Sequence, residues 1–260
     1  MFGNASDIGT KQQFPFMTLD RFGTSKHDFA TPAWFSNMGY FWRWEDFLWD
    51  AFDIDEHWLA TYDASASGTP TLGLSADATG GAFQIQLAST SEAETAGLSM
   101  GNNLYIRGNL PFLWMARIQV VHTMAANEVL VFGLASDVDS ATLDNLTRNI
   151  WFRLDADTDL LFEYDDGTTD TDDKDLGIDI TEDVYYWYAI ERQRNGQIYL
   201  HVADDDGENH KVFNPAKQFS VVNPTFGANN LQPVILAQKA SGTTQPELLV
   251  DCMGFFGARA

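Results

Sequence analysis

Cys252 is the only cysteine in 260 residues, so no disulfide can form within the chain and no C-x-x-C zinc pair exists. Its context, LLVDCMGFF, alternates in polarity and places the thiol as a small hydrophobe on a strand, facing inward with Ile198, Leu200, Val202 and Val250. Basic residues are equally scarce: 15 against 37 acidic ones give a formal charge of −22. That balance repels phosphate backbones and anionic lipid, so neither nucleic acid nor a membrane is expected as a partner. Nowhere do about 18 apolar residues follow one another, and the opening MFGNASDIGTKQQF has no basic segment leading into an apolar run. No mark of secretion or membrane insertion is therefore expected, and the sequons at Asn4 and Asn145 carry little weight. The five histidines, His27, His57, His122, His201 and His210, are scattered. None belongs to an H-E-x-x-H array, and there is no Gly-rich phosphate loop or G-x-S-x-G elbow. His201, flanked by apolar neighbours, is expected on the surface of a strand.

What the chain does have is apolar substance: 45% hydrophobic and 13% aromatic residues, enough for a large core. From about Phe83 onward, apolar and polar residues alternate with the period of two that half-buried strands require. In AFQIQLA, Phe83, Ile85 and Leu87 share a face; in GQIYLHVA, Ile198, Leu200 and Val202 do. Further strands are expected in NLYIRG, FLWMARIQVVH, EVLVFGLA, NIWFRL, LLFEYD, VYYWYAIERQ, QPVILAQ and PELLVDCMGFF, punctuated by Gly, Asp, Asn, Ser and Pro. Only DSATLDNLTRN, Asp139 to Asn149, has helical spacing, through Leu143 and Leu146, and it predicts a turn or two set in a loop. No repeat of 20 to 50 residues is present. The pattern calls for one all-β sandwich of two packed antiparallel sheets.

The N-terminal part differs. Residues 1–43 are expected to form an extended arm and residues 44–260 the sandwich domain. The arm begins polar, with Gly3, Gly9 and Gly23 and the spaced anchors Phe14, Phe16, Phe22 and Phe29, and leads into a dense aromatic belt: Trp34, Phe35, Tyr40, Phe41 and Trp42, then Trp44, Phe47, Trp49, Phe52 and Trp58. So many rings must be covered. They either close the open end of the sandwich or fill its core, or else meet a neighbouring subunit, which makes the arm's aromatics the expected partner-binding residues.

Taken in order, WRWEDFLWDAFDIDEHW, TGGAFQIQL, FLWMARIQV, VFGLASD, NIWFRLDADTDLLFEYDDG, YYWYAIERQRNGQIYLHV and ELLVDCMGFF make residues 44–256 resemble the concanavalin A-like (laminin G-like) jelly-roll proteins encoded among the structural genes of tailed viruses. The resemblance implies a two-sheet antiparallel jelly roll in a non-enzymatic virion component, of the capsid decoration or cement type on the particle surface. Its partners would be the major capsid protein or another virion protein, and copies of itself in a homo-oligomer such as a trimer. The alternative is a lectin-like adhesin that binds a host glycan.

Two acidic constellations deserve their own test. Asp155, Asp157 and Asp159 form a D-x-D-x-D run that could hold an exposed Ca²⁺, and no other cofactor is expected. An EF-hand loop starting at Asp155 would need Gly at its sixth position and a bidentate acid at its twelfth, where Leu160 and Asp166 stand. A hairpin explains the run more simply: IWFRL enters, DADTD turns, and LLFEYDD returns. Glu163 and Asp165 match the first two carboxylates of the E-x-D-x-x-E strand of jelly-roll glucanases, but Thr168 stands where the third belongs. Retaining hydrolysis needs a nucleophile and an acid/base about 5 Å apart, so no catalytic residue is expected. The following acidic run, DDGTTDTDDKD, is expected to be a solvated loop. YYWYAIERQR interleaves rings with basic residues, but on a strand of so acidic a chain this predicts core packing with Arg192 and Arg194 exposed rather than base stacking.

Overall fold

The computed structural model describes residues 40–45, 47, 58–64, 68–75, 81–103, 106–122, 124–138, 143, 146, 148–205, 207–218 and 230–258. Their elements are β1 (Tyr40–Glu45), β2 (Leu59–Ala64), β3 (Thr71–Leu74), β4 (Phe83–Gln86), β5 (Glu94–Ser99), β6 (Ile106–Arg107), β7 (Phe112–Val120) and β8 (Glu128–Ala135). After these come β9 (Asn149–Asp155), β10 (Asp159–Asp165), β11 (Asp170–Asp179), β12 (Tyr185–Arg192), β13 (Ile198–Asp204), β14 (Lys211–Phe213), the single-turn helix α1 (Pro215–Gln218), β15 (Asn230–Lys239) and β16 (Glu247–Ala258). Two eight-stranded sheets result. Sheet A runs β14-β13-β12-β7-β16-β4-β3, with β1 also on β16; sheet B runs β11-β10-β9-β8-β15-β5-β2, with β6 also on β15. All ten strands expected from alternation are present.

Each sheet sends alternate side chains into one shared core. Phe83, Trp114, Ile118, Tyr188, Ile190, Leu200 and Val250 come from sheet A, and Leu98, Phe132, Phe152, Phe162 and Ile235 from sheet B, all fully buried. Rings meet across the gap, with the Phe132 and Tyr188 centroids 4.6 Å apart and those of Phe152 and Tyr188 5.3 Å apart. The aromatic belt contributes Phe47 and Trp58 to this core, Phe47 lying 5.7 Å from Phe83. For these two rings, filling the sandwich is the reading that holds.

Cys252 corrects the inward assignment. Ile198, Leu200, Val202 and Val250 line the core, but Val250 pairs with Ile118 while Cys252 pairs with Arg117, a register shift of one residue at Asp251. A bulge reverses the parity of everything beyond it. Cys252 therefore joins Met115, Trp187, Ala189 and Ala203 on the outer side of sheet A, still buried, and Met253 and Phe255 take up the inward positions.

Asp170 to Asp179 is a second correction, being strand rather than solvated loop. As β11 it is the edge of sheet B, where Thr171, Leu176 and Ile178 are buried and most of the acids are exposed. An edge strand needs apolar residues only on its inner face, and its charges discourage pairing with another chain. β5 was equally hard to see. ETAGLS carries little apolar bulk, yet all six residues are buried, because Gly97 lets β15 approach so closely that a Cβ there would lie 2.0 Å from the carbonyl oxygen of Ile235.

The strand ends of sheet B are tied by a buried charge. Lys239 faces Glu94 on β5 and Glu128 on β8 in one row, and all three side chains are buried. The Lys239 ammonium donates to the carbonyl oxygens of Ala88, Thr90 (2.7 Å), Gly242 (3.3 Å) and Thr244 (3.5 Å), with Glu94 Oε2 at 3.4 Å. Glu94 also accepts from Ala88 N (2.8 Å), Glu128 from Ala125 N (2.7 Å) and from the Thr244 hydroxyl. Lys239→Met strands a buried carboxylate and is expected to cost about 3–5 kcal/mol in urea unfolding. Adding Glu94→Gln should restore part of that; a double variant no more stable than the single one would show that the ion pair is not what holds these loops.

Candidate functional site

Alternation on β9 and β10 sends Ile150, Phe152, Leu154, Phe162 and Tyr164 inward. Asn149, Trp151, Arg153, Glu163 and Asp165 consequently face the outer side of sheet B, where Glu163 lies opposite Trp151 and Asp165 opposite Asn149. Arg153 Nη1 donates to Glu163 Oε2 at 2.8 Å and Nη2 to Asp155 at 3.0 Å, while Nε lies 3.6 Å from Asp173. Asn149 Nδ2 donates to Glu163 Oε1 (3.2 Å) and to Leu146 O (3.1 Å). Glu163 is thus the acceptor at the centre of a buried network, only 4% exposed. Burial raises its pKa above the usual carboxylate value, against the opposing pull of the Arg153 charge.

Next to this network the face is apolar. Val131, Trp151, Val234 and Leu236 are covered by Val138, Leu143 and Leu146 of the β8–β9 connection. Leu146 N donates to Leu143 O at 3.0 Å; residues 139–142, 144, 145 and 147, the rest of the stretch expected to make a turn or two, lie outside the described residues. Gln232 pins the connection, its Nε2 donating to Ser136 O and to Asn102 Oδ1, each at 2.8 Å, while Asn102 Oδ1 also accepts from Val138 N at 2.7 Å. The chain lays its own loop over the middle of this outer face.

The acids of the two sequence constellations serve turns and ion pairs. Asp157 accepts from Asp159 N (2.9 Å), Asp165 from Gly167 N (2.6 Å), and Asp166 from the backbone of Thr168 (2.9 Å) and Thr169 (2.8 Å). The hairpin forms as read, β9 against β10, with Ala156 in the left-handed region at φ 60°. Asp155 turns to Arg153, whereas Asp159 sits among Asp157, Asp179 and Asp175, whose charges raise its pKa. Among the described residues no three His, Cys, Asp or Glu side chains converge on one point. Of the expected partner-binding residues, Phe14, Phe16, Phe22, Phe29, Trp34 and Phe35 lie outside the described residues. Tyr40, Phe41 and Trp42 belong to β1, which pairs with β16 from Tyr40↔Ala258 to Glu45↔Met253. The part of the arm assigned to residues 40–43 is thus a strand of sheet A.

Sequence reading missed a cluster on the outer side of sheet A. His201, expected at the surface, is 4% exposed, its Nε2 3.1 Å from Glu191 Oε2 and its Nδ1 3.1 Å from His210 Nε2. Nearby, Arg117 bridges Asp205 (2.6 Å) and Asp251 (3.1 Å) and lies 4.1 Å over the Tyr185 ring. The signal was the N-G turn of ERQRNGQIYLH. Its Gln193–Gln197 closure fixes Glu191 opposite Tyr199 and Ala189 opposite His201, so Glu191 and His201 become same-face diagonal neighbours. His201 faces Val212 on β14, which puts His210 on the next diagonal.

Two outcomes are expected. With its pKa raised in the fold, Glu163 makes the folded state bind a proton more tightly than the unfolded chain does. Stability from this group therefore rises as pH falls through the raised value and levels off below the ordinary carboxylate range. Glu163→Gln should remove that slope from a plot of Tm against pH; an unchanged slope would place its origin elsewhere. The second outcome is the absence of β-glucan hydrolysis, since Glu163 is bound to Arg153 and Thr168 replaces the acid/base. Turnover that disappears in Glu163→Gln would contradict this.

No protein-family model matches the chain, and no curated protein matches it significantly in sequence. Solved structures do resemble it. A protein of unknown function from Shewanella oneidensis MR-1 superposes with a TM-score of 0.58 at 10% identity, over 85% of this chain and 87% of that one. Peanut lectin gives 0.55 at 9% identity, over 85% and 98%, and the carbohydrate recognition domain of Emp47p gives 0.52 at 14%, over 83% and 95%. At such identities the likeness shows the fold alone, and that fold is the concanavalin A-like, legume-lectin-type antiparallel jelly roll.

Proposed function

We propose that the protein is a non-enzymatic virion structural component, a decoration or cement protein held on the particle exterior through its N-terminal arm and through contacts between copies. The observation that carries the non-enzymatic part is the engagement of Glu163 with Arg153 and Asn149, together with Asp165 in its turn. Of the sequence's E-x-D pair, then, both carboxylates are engaged in the fold rather than left as an acid/base pair. The attachment part rests on the resemblance of residues 44–256 to virion jelly rolls and on where β1 begins. Tyr40, the first residue of β1, pairs with Ala258, and residues 1–39 precede it. A segment that polar gives up about 1–2 kcal/mol of backbone entropy per ordered residue, and each large apolar side chain buried against a neighbour returns roughly 1.5–3 kcal/mol. Phe14, Phe16, Phe22 and Phe29 are the anchors that would supply this return, and a symmetric oligomer such as a trimer would multiply it. The charge of −22 would keep decorated particles apart.

A second reading, glycan binding, is supported by the likeness to peanut lectin and to the Emp47p carbohydrate recognition domain. The middle of the outer face of sheet B is already covered by the chain's own loop, which leaves that reading the rim. Deleting residues 1–31 separates the two. The truncated protein is expected to keep the Tm of the full chain and to lose its occupancy on undecorated particles. Full occupancy at unchanged affinity would overturn anchoring by the arm, and saturable capture on a glycan array would favour the lectin reading.

A further inference from the structure

We propose that His201 and His210 form an open two-imidazole site for a divalent transition-metal ion of the zinc, copper or nickel class, with Glu191 as its positioning residue. His201 Nδ1 and His210 Nε2 are 3.1 Å apart, and the ring centroids are 5.3 Å apart at an interplanar angle of 17°. That separation is nearly the largest the nitrogen contact allows, so the rings meet edge to edge in one plane and aim a nitrogen at each other. On its far side His201 Nε2 lies 3.1 Å from Glu191 Oε2. Both residues are buried, and the carboxylate can only accept, so Nε2 carries the hydrogen and Nδ1 presents its lone pair to His210. A carboxylate that fixes the tautomer of an imidazole is the usual support of a metal-ligating histidine.

Metal–nitrogen bonds of about 2.0–2.1 Å at a tetrahedral angle put two ligand nitrogens about 3.3 Å apart, close to the observed contact, and the rings must turn off the nitrogen–nitrogen line for both lone pairs to converge on the ion. Imidazole nitrogen selects this metal class over Ca²⁺ or Mg²⁺. No third protein ligand converges among the described residues, so water or an added ligand completes the coordination. On binding, two nitrogen–metal bonds form and the hydrogen between the rings leaves: to His210 Nδ1 by tautomer change when the pair is neutral, or to solvent when the pair carries an extra proton. Binding therefore weakens as the imidazoles are protonated. The site adjoins β14, the edge strand of sheet A, and does not depend on the virion reading.

The experiment is calorimetric titration of Zn²⁺ into the full chain, with nitrogen hyperfine counting in the Cu²⁺ electron paramagnetic resonance spectrum. One ion per chain on two nitrogens is expected. His210→Ala, at the half-buried end of the pair, should abolish the site. Glu191→Gln should weaken it about 10–100-fold, as loss of an orienting partner does, and His122→Ala should change nothing. Circular dichroism confirms the fold of each variant. If His201→Ala fails to fold, His210→Ala still decides. Absence of saturable binding, or the same affinity and nitrogen count in His210→Ala, overturns the proposal and assigns any uptake to surface carboxylates.

Discussion

The Lys239 ammonium ties two of the connections between the sheets to one point. It ends β15, yet it reaches the β4–β5 connection through Ala88 and Thr90 and the β15–β16 connection through Gly242 and Thr244. A jelly roll needs its chain to cross repeatedly from one sheet to the other, and both of these connections make that crossing. The ammonium itself is fully buried, so its hydrogens need acceptors, and these carbonyl oxygens supply them. The positive charge needs its own counterpart, which is Glu94 on the neighbouring strand. Loop path and charge balance meet at one point.

The same rule shapes both outer faces. A two-sheet sandwich is expected to turn alternate polar residues to water, but here Arg153, Glu163, Glu191 and His201 are all buried on outer faces. Burying a polar or charged group is costly unless it is hydrogen-bonded, and each of these has its partner on the neighbouring strand: Arg153 with Glu163, and His201 with Glu191. The β8–β9 connection, with Leu143 and Leu146 over Trp151, creates that burial on sheet B. A second, smaller core thus lies beside an ion-pair network in which Glu163 is bound to Arg153 and Asn149.

Period-two alternation was enough to locate Phe83, Ile85, Ile198, Leu200, Val202 and the ten strands that carry such runs, because burying one face of a strand selects apolar residues at every second position. Asn-Gly and Asp-rich punctuation located the hairpins of β9 with β10 and of β12 with β13, since those residues accept the turn conformations or bond their own backbone. The absence of a third carboxylate at Thr168 and of a glycine at Leu160 argues by itself against a glucanase and an EF-hand loop. These properties are local, carried by residues a few positions apart.

Tertiary structure decided what depends on register and on layers. One extra residue at Asp251 turned Cys252 from the core to the outer side of sheet A, a shift that composition cannot reveal. Membership of an edge made a strand of DTDDKDLGID, and close approach of β15 at Gly97 made one of ETAGLS. The meeting of Glu191, His201 and His210 required two successive strand registers, β12 on β13 and β13 on β14. Each follows from pairings between segments distant in the chain, and these are selected by the packing of the whole sandwich; the residues themselves carry only the capacity to pair.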